Sequence, residues 1–183
     1  QALRNTVDLP VAEALKWERE AFFKLVDTAS SASLRHIFFA ERDVAKVEGV
    51  PKDMKGHEIK SCAVIGAGTM GGGIAMSFAN AGIPVTLIDM SQEALDRGLS
   101  VIAKNYKISA GRGGMTEADV EKRIGLIKGA TDLSATADAD LIIEAVFEDR
   151  AIKAEVTKRA AAYLAPDGVF ASNTSTLPIS GLA

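Results

Sequence analysis

The sequence is poor in cysteine, in basic clusters and in long apolar runs, and each shortage excludes a class of protein. Its one cysteine, Cys62, cannot form an intrachain disulfide, which indicates a reducing compartment such as a cytoplasm. No apolar stretch approaches the ~20 residues of a membrane-spanning helix. The 21 Lys and Arg residues form no basic block, which argues against nucleic acid as a partner. No His, Cys and carboxylate cluster has metal-ligand spacing, so we predict no metal site.

Composition and length are those of an ordinary globular protein. The 183 residues, 48% of them hydrophobic, suffice for one domain with a sizeable core and a modest appendage. A polar joint with Pro51 and Gly56 lies between two segments of different character. We therefore predict a helical appendage at 1–55 and a main domain at 56–183.

The appendage has apolar residues at helical spacing over 11–47, with a break at 27–31 that is rich in capping residues. Its aromatic residues are interpreted as packing against a neighbouring domain rather than as a ligand cage. They are Trp17, Phe22, Phe23, Phe38 and Phe39.

In the main domain, short apolar runs alternate with helical patterns. Strands are predicted at 61–65, 84–88, 126–129, 141–146 and 169–172. Helices are predicted at 70–81, 91–110, 116–125 and 150–164. This alternation indicates βαβ units, whose right-handed crossovers make the sheet parallel.

The glycine-rich sequence Gly-Ala-Gly-Thr-Met-Gly at 66–71 joins the first predicted strand to the first helix, which is the context of a dinucleotide-binding turn. Gly66 allows the tight turn, Gly68 leaves room for a pyrophosphate, and Gly71 lets helix and strand pack closely. The phosphates would meet backbone N–H groups at the positive end of the helix dipole. Thr69 and Met70 are further candidate cofactor-binding residues of this motif, and Met70 lies on the first helical turn, where its side chain can cover the cofactor. A turn that serves packing alone is the alternative.

Asp89 stands directly at the end of the next predicted strand, 84–88, and eighteen positions beyond Gly71. A carboxylate there can accept hydrogen bonds from both hydroxyls of the adenosine ribose and would repel a 2′-phosphate, so NAD is favoured over NADP. A capping role before Ser91 is the alternative. Together these features predict an α/β fold, a Rossmann-type doubly wound parallel sheet preceded by a short helical appendage.

Two carboxylates, Glu144 and Glu148, lie near the end of the predicted strand 141–146, where ligands of open α/β sheets bind. Glu148 and Lys153 can frame the nicotinamide ribose. Equally, Glu148 can be a charge at a helix start and Lys153 part of a solvated helix face. Because Glu144 lies within an apolar run, it must be hydrogen-bonded, paired or protonated.

A polar run at 172–176 follows the last predicted strand, and its short side chains are suited to orient a substrate hydroxyl and a carboxamide. Both histidines, His36 and His57, precede the dinucleotide motif and are interpreted as solvated or packing residues. With no histidine close in sequence, Ser175 is predicted to act through hydrogen bonds rather than as a nucleophile.

Three stretches closely resemble motifs of the L-3-hydroxyacyl-CoA dehydrogenase NAD domain, in the same order and at similar spacing. They are Ala-Val-Ile-Gly-Ala-Gly-Thr-Met-Gly-Gly-Gly-Ile-Ala at 63–75, Ile-Glu-Ala-Val-Phe-Glu at 143–148 and Ala-Ser-Asn-Thr-Ser-Thr-Leu-Pro-Ile-Ser at 171–180. The resemblance covers 59–183, and the serine-rich motif is its most specific part. Residues 13–20 and the following helix resemble, more loosely, the connector between hydratase and dehydrogenase domains in bacterial-type multifunctional β-oxidation α-subunits.

The resemblance implies a function for the whole enzyme, the NAD-dependent oxidation of an (S)-3-hydroxyacyl-CoA to a 3-ketoacyl-CoA in fatty-acid β-oxidation. It implies an acyl-CoA substrate bound mostly by another domain, a dimer or a complex with a thiolase subunit, and a bacterial cytoplasm. Ser175 would lie near the substrate 3-hydroxyl and is the catalytic residue expected within this chain. The expected NAD contacts, added to the glycine turn, are Met70, Asp89, Ala145, Val146, Phe147, Glu148, Lys153, Asn173 and Ser175.

In that family the catalytic histidine lies downstream of the serine motif, in a His-Phe-Phe-Asn-Pro-like stretch that this sequence does not reach. We therefore expect a segment of a longer protein. Two alternatives stay open. One is a non-catalytic dinucleotide-binding or docking module, and the other is an NAD-dependent dehydrogenase of the 3-hydroxyisobutyrate or 6-phosphogluconate type. The residues that follow Ala183 in the longer chain would separate them.

This chain alone should not turn over substrate, since a general base typically contributes about 10²–10⁴-fold to such a reaction and none is supplied here. We expect no loss of NADH absorbance when the purified chain is mixed with acetoacetyl-CoA and NADH. Rapid oxidation of NADH would contradict this expectation.

Overall fold

The computed structural model describes residues 4, 7–44, 46–51, 53–137 and 139–182. The chain divides into two compact units, Gln1–Gly56 and His57–Ala183. None of the helices in the described ranges has the length and apolar character that a bilayer crossing demands.

Among the described residues of the first unit are the helices α1 (Val11–Val26) and α2 (Ala29–Asp43). The break between them follows from Thr28, whose hydroxyl caps α2 by accepting a hydrogen bond from the Ser31 N–H (3.2 Å). The helical pattern extended to residue 47, whereas α2 ends at Asp43. The four phenylalanines of these helices are each at least half exposed, so the neighbouring domain expected to cover them stays a prediction.

The second unit is built on a five-stranded parallel sheet with the order β3-β2-β1-β4-β5. The strands are β1 (Cys62–Ile65), β2 (Val85–Ile88), β3 (Ile127–Ala130), β4 (Leu141–Glu144) and β5 (Val169–Ser172). The chain runs outward from β1 to β3, then crosses to β4 on the other side of β1. This reversal is the topological switch point at which doubly wound folds bind their ligands. The predicted fold class is confirmed.

In the described part of this unit, four α-helices and one short 3₁₀ turn lie between the strands, and a second 3₁₀ turn follows β5. They are α3 (Thr69–Asn80), α4 (Gln92–Gly111), α5 (Glu117–Gly125), α6 (Arg150–Ala161) and the 3₁₀ turns Leu133–Thr136 and Ile179–Gly181. Ser91, Thr116 and Asp149 each cap the helix that follows with a side-chain oxygen. Thr116 and Asp119 form a capping box.

One predicted strand extends two residues too far, whereas the bounds of the others agree to within one residue. The apolar run predicted a strand at 141–146, but β4 ends at Glu144. The reason is that the Val146 N–H donates to the Glu144 side chain (2.7 Å), and the chain turns away from the sheet there. Helix α6 likewise stops three residues before the predicted position 164.

The core lies on both faces of the sheet, because successive residues of each strand point to opposite sides. On β1, Cys62 and Val64 pack with α3, α4 and α5, while Ala63 and Ile65 pack on the other face with Leu133 and Ala160. Burial raises the pKa of the Cys62 thiol to about 12, as expected of an inert residue in a strand.

At the amino-terminal edge of the sheet, the Asp140 side chain joins the segments that lead into β1 and β4. One carboxylate oxygen accepts hydrogen bonds from the Lys60 N–H (2.8 Å), the Ser61 N–H (2.9 Å) and the Ser61 hydroxyl (3.1 Å). These donors, the Lys60 N–H foremost, hold the pKa of Asp140 below its usual value. The charged form is therefore the one that folding favours.

Asp140→Asn should lower stability at pH 7 and flatten its dependence on pH. Because the pKa is depressed in the folded state, the stabilisation is present above the unfolded value of about 4 and disappears as the pH falls through the folded value. Urea unfolding midpoints at pH 7 and pH 3 measure this, and the variant and wild type should converge at the lower pH. Asp167→Asn, an exposed aspartate before β5, is the control. An equal deficit at both pH values would contradict the assignment.

Candidate functional site

The parallel register brings four chain segments to one edge of the sheet. Ile65 is paired with both Ile88 and Glu144, and Glu144 with Ser172. The residues that follow these strand ends are therefore neighbours. They are Gly66, Asp89, Ala145 and Asn173. Each predicted cofactor-binding segment begins at this carboxyl edge, where ligands of such sheets bind.

The glycine turn is shaped by close contacts between backbone segments. Gly66 has a positive φ of 111°, and a Cβ there would lie 2.5 Å from the Ala145 carbonyl oxygen. A Cβ at Gly71 would lie 1.8 Å from the Gly66 oxygen, so α3 reaches the turn only because residue 71 has no side chain. A Cβ at Gly68 meets no atom within 4 Å. Packing thus explains Gly66 and Gly71 but leaves Gly68 unexplained, which fits a ligand close to its backbone.

Helix α3 begins at this turn without a side-chain cap. Its N-cap is Gly68, and the exposed residues Thr69 and Met70 form its first turn. The N–H groups of a first helical turn have no partner within the helix, so they are free to bind an anion at the positive end of the helix dipole. A helix start with free N–H groups, beside a glycine with empty space around it, has both the donors and the room that a diphosphate needs.

Asp89 is half-buried and fixed by the backbone. Its Oδ2 accepts a hydrogen bond from the Ala67 N–H (3.0 Å), and its Oδ1 accepts one from the Ser91 N–H (3.2 Å). Each carboxylate oxygen can accept a further bond, so two acceptors are presented in a fixed direction beside the glycine turn. Capping of the next helix belongs to Ser91 rather than to Asp89.

Two concave regions meet at this aspartate. One, of about 430 Å³, runs along the glycine turn and the facing sides of α3 and α4, and includes Arg97 and Asn105. The other, of about 70 Å³, is lined by Gly66 of the turn and by Met90, Leu133 and Val146. A ligand that contacts Asp89 can therefore extend into either region.

Across the switch point, Glu144 is fully buried and bound by three segments. Its carboxylate accepts hydrogen bonds from the Val146 N–H (2.7 Å) and the Ser172 hydroxyl (2.6 Å). The Lys153 ammonium lies 2.8 Å from Oε1 and 3.2 Å from Oε2. Glu144 is thus both hydrogen-bonded and paired, as its place in an apolar run requires.

Glu148 is the second carboxylate beside Lys153, and its side chain is 41% exposed. Lys153 donates to one of its oxygens at 3.2 Å, and the hydroxyls of Thr174 and Thr176 donate to the other. These donors, the Thr174 hydroxyl foremost, lower the pKa of Glu148. The result is a partly open carboxylate whose orientation is fixed from two sides.

The remaining predicted site residues differ in how exposed they are. Asn173, Ser175 and Phe147 are exposed at the same edge, and Ala145 and Val146 are half-buried there. The Lys153 side chain has no exposed surface, so it faces two carboxylates rather than the solvated helix face that was the alternative.

Neither histidine is placed at this edge by a described contact. His36 is exposed on α2 of the first unit, and His57 influences Asp140 at the opposite edge of the sheet. Among the described residues, no three His, Cys or acidic side chains are grouped to hold a metal ion.

Sequence reasoning missed one packing residue that shapes the site. A Cβ at Gly98 of α4 would lie 2.5 Å from the Ala67 carbonyl oxygen, so α4 can touch the glycine turn only through a glycine. An isolated glycine within a helical pattern was the available signal. The hydroxyls of Ser172, Thr174 and Thr176 were noted as a polar run, but their partners Glu144 and Glu148 belong to another strand end.

A family model described as 3-hydroxyacyl-CoA dehydrogenase, NAD binding domain, matches residues 61–183. The chain belongs to this dehydrogenase family. It is 35% identical over 182 residues to the fatty acid oxidation complex subunit alpha of Psychrobacter arcticus, a match that covers 100% of this chain and 25% of the relative. The resemblance inferred from the sequence is confirmed, and the chain spans about a quarter of that relative's length.

The fold is similar to that of solved structures that are about a third identical in sequence to this chain. FadB2 of M. tuberculosis is 37% identical with a TM-score of 0.67, over 69% of this chain and 45% of that one. A 3-hydroxybutyryl-CoA dehydrogenase of Escherichia coli is 35% identical with a TM-score of 0.66, over 69% of this chain and 27% of that one. Family membership decides against the 3-hydroxyisobutyrate and 6-phosphogluconate types.

Two alanine substitutions separate packing from ligand binding in the glycine turn. Gly71→Ala should destabilise the domain by about 3 kcal/mol, because its Cβ would overlap the Gly66 oxygen. Gly68→Ala should leave the thermal midpoint nearly unchanged and weaken NADH binding roughly tenfold or more, since its Cβ enters space that the diphosphate needs. Calorimetry and fluorescence titration measure the two effects. Unchanged NADH affinity in Gly68→Ala would remove this residue from the site.

Proposed function

We propose that this chain holds NAD for an L-3-hydroxyacyl-CoA dehydrogenase that oxidises (S)-3-hydroxyacyl-CoA to 3-ketoacyl-CoA in fatty-acid β-oxidation. One observation carries the proposal. An uncapped helix start, an open Gly68 and a carboxylate anchored on the Ala67 N–H lie together at one switch-point edge. Family membership over 61–183 supports the reaction class.

The adenosine half of the cofactor would lie on the β1–β2 side. Backbone N–H groups at the start of α3 bind the diphosphate, with Thr69 and Met70 beside it. Asp89 accepts hydrogen bonds from the ribose hydroxyls with its remaining acceptors, while the Ala67 and Ser91 N–H groups keep its direction fixed. The same negative charge repels a 2′-phosphate, which favours NAD over NADP.

The nicotinamide half would lie on the β4–β5 side. Bound NAD supplies the hydride acceptor for the substrate 3-carbon. Glu148 is suited to the second ribose, because its carboxylate is partly exposed and held by Lys153 and Thr174. Ala145, Val146 and Phe147 would contact the cofactor between the two halves. Asn173 and Ser175 are exposed beside it, and Ser175 is assigned a hydrogen bond to the substrate 3-hydroxyl.

The wider setting follows from the relatives. In a multifunctional subunit, the first unit would be the connector that follows a hydratase domain. The acyl-CoA would be bound mostly by a further helical domain, and a thiolase subunit or a second copy would complete the assembly. A bacterial cytoplasm is the compartment that fits a lone, buried cysteine thiol.

Asp89→Asn tests the cofactor assignment while keeping the size of the side chain and an acceptor for the Ala67 N–H. Loss of charge-assisted bonds to ribose, each about 1.5–3 kcal/mol, should weaken NADH binding by roughly tenfold or more. The preference for NADH over NADPH should fall as well. Fluorescence titration with both cofactors measures the two quantities.

The matched control is Asp96→Asn, the same change at an exposed aspartate of α4. It should leave both affinities unchanged. A wild-type chain that binds no NADH would overturn the proposed function. Unchanged NADH affinity in Asp89→Asn alone would instead remove the ribose role from Asp89.

A further inference from the structure

Glu144 is a fully buried carboxylate beneath the cofactor edge, and the proposed cofactor contacts do not use it. Its two oxygens accept four hydrogen bonds, which come from three segments of the chain. Val146 belongs to the loop after β4, Lys153 to α6, and Ser172 to the end of β5. No bond remains for a ligand, and the residue has no exposed surface through which to reach one.

The contacts continue outward to residues that face the cofactor. Lys153 lies between the two carboxylates, 2.8 Å from Glu144 and 3.2 Å from Glu148, and also donates to the Val146 carbonyl oxygen at 3.4 Å. Glu148 in turn accepts a hydrogen bond from the hydroxyl of Thr174, which lies two residues beyond Ser172. The bonds therefore form a closed ring that joins the loop after β4 to the loop after β5 at two places.

A buried ion pair is a weak source of stability, because removing two charges from water costs about as much as their attraction returns. Apolar residues would fill this part of the core at least as well. What the pair supplies instead is a fixed relative position of the segments that it joins. The buried carboxylate and ammonium are stable only when all their hydrogen-bond partners are in place. That property matters where two loops must hold fixed relative positions.

We infer that Glu144 is a positioning residue for the nicotinamide half of the site. It acts through Lys153 on Glu148, and through Ser172 on the loop that carries Asn173 and Ser175. The inference rests on the proposed function, because it presupposes that this edge binds the dinucleotide. It predicts an effect confined to one half of the cofactor, since no bond of the ring reaches Asp89 or the glycine turn.

The test compares two ligands. ADP carries only the adenosine and the diphosphate, whereas NADH also reaches the β4–β5 side. Glu144→Gln keeps the size of the side chain but removes the charge that holds Lys153. It should weaken NADH binding about tenfold, as expected for loss of charge-assisted bonds, and change ADP binding by less than about twofold. Titration calorimetry measures both, and the NADH emission spectrum should shift toward that of free NADH.

Breaking a buried ion pair is strongly destabilising, so Glu144→Gln can fail to fold, and a second variant keeps the test decisive in that case. Ser172→Ala removes one bond to Glu144 and leaves the ion pair intact. It should weaken NADH about threefold and leave ADP unchanged. Glu155→Gln, the same substitution at an exposed position of α6, is the control and should change neither affinity.

The outcomes separate the two proposals. If the wild-type chain binds neither ligand, the proposed function fails. If it binds both, and folded Ser172→Ala and Glu144→Gln retain wild-type NADH affinity, the positioning role fails while the proposed function stands. Equal weakening of ADP and NADH would also overturn it, because a merely structural role lowers both affinities together.

Discussion

Four backbone hydrogen bonds extend the sheet by one residue beyond the strand ends, and the site depends on them. The N–H groups of Gly66, Ala145 and Asn173 bond to the last residues of the adjacent strands at 2.7–2.8 Å, and that of Asp89 bonds to Ala130 at 3.2 Å. Four loops therefore leave the sheet at the same level. A shift of any strand by one residue would turn its side chains to the opposite face and move its loop away from the others.

The two halves of the edge are stabilised by different means. On the β1–β2 side, the shape comes from backbone atoms in close approach, which only glycine allows at Gly66 and Gly71. On the β4–β5 side, the shape comes from polar and charged side chains that bond one another in a ring, which is buried at Glu144 and Lys153 and partly exposed at Glu148. The first half suits a phosphate, which needs N–H groups at short range. The β4–β5 half suits a group that must be held in one orientation.

Most of the second unit could be predicted from the sequence, because strands buried on both faces read as short apolar runs and helix caps have local signals. Ser91, Thr116 and Asp149 mark helix starts without reference to the rest of the chain. The end of β4 was not predictable in this way. Apolar character continues to Val146, but a side chain of the strand itself takes the N–H that the sheet would have used.

Lys153 illustrates why the site was harder to predict than the fold. A lysine on a polar helix normally faces water, and its burial depends on Glu144, which lies nine residues earlier and on a different element. The approach of Gly98 to Ala67 likewise joins residues whose contact follows only from the packing of two helices. Local patterns identify elements, whereas contacts of this kind depend on the assembled fold.

The pairing of β1 with β4 has a consequence for how the domain forms. Cys62 pairs with Leu141, and the Asp140 side chain bonds the Lys60 N–H 80 residues earlier in the chain. Closing so long a loop costs entropy that local structure cannot offset beforehand, so this pairing belongs to the slow, non-local part of folding. During synthesis the glycine turn emerges well before the strand that supplies its far wall. A ribosome-bound chain that has reached only β3 contains the half of the crevice proposed to bind the diphosphate, but lacks the half proposed to orient the nicotinamide.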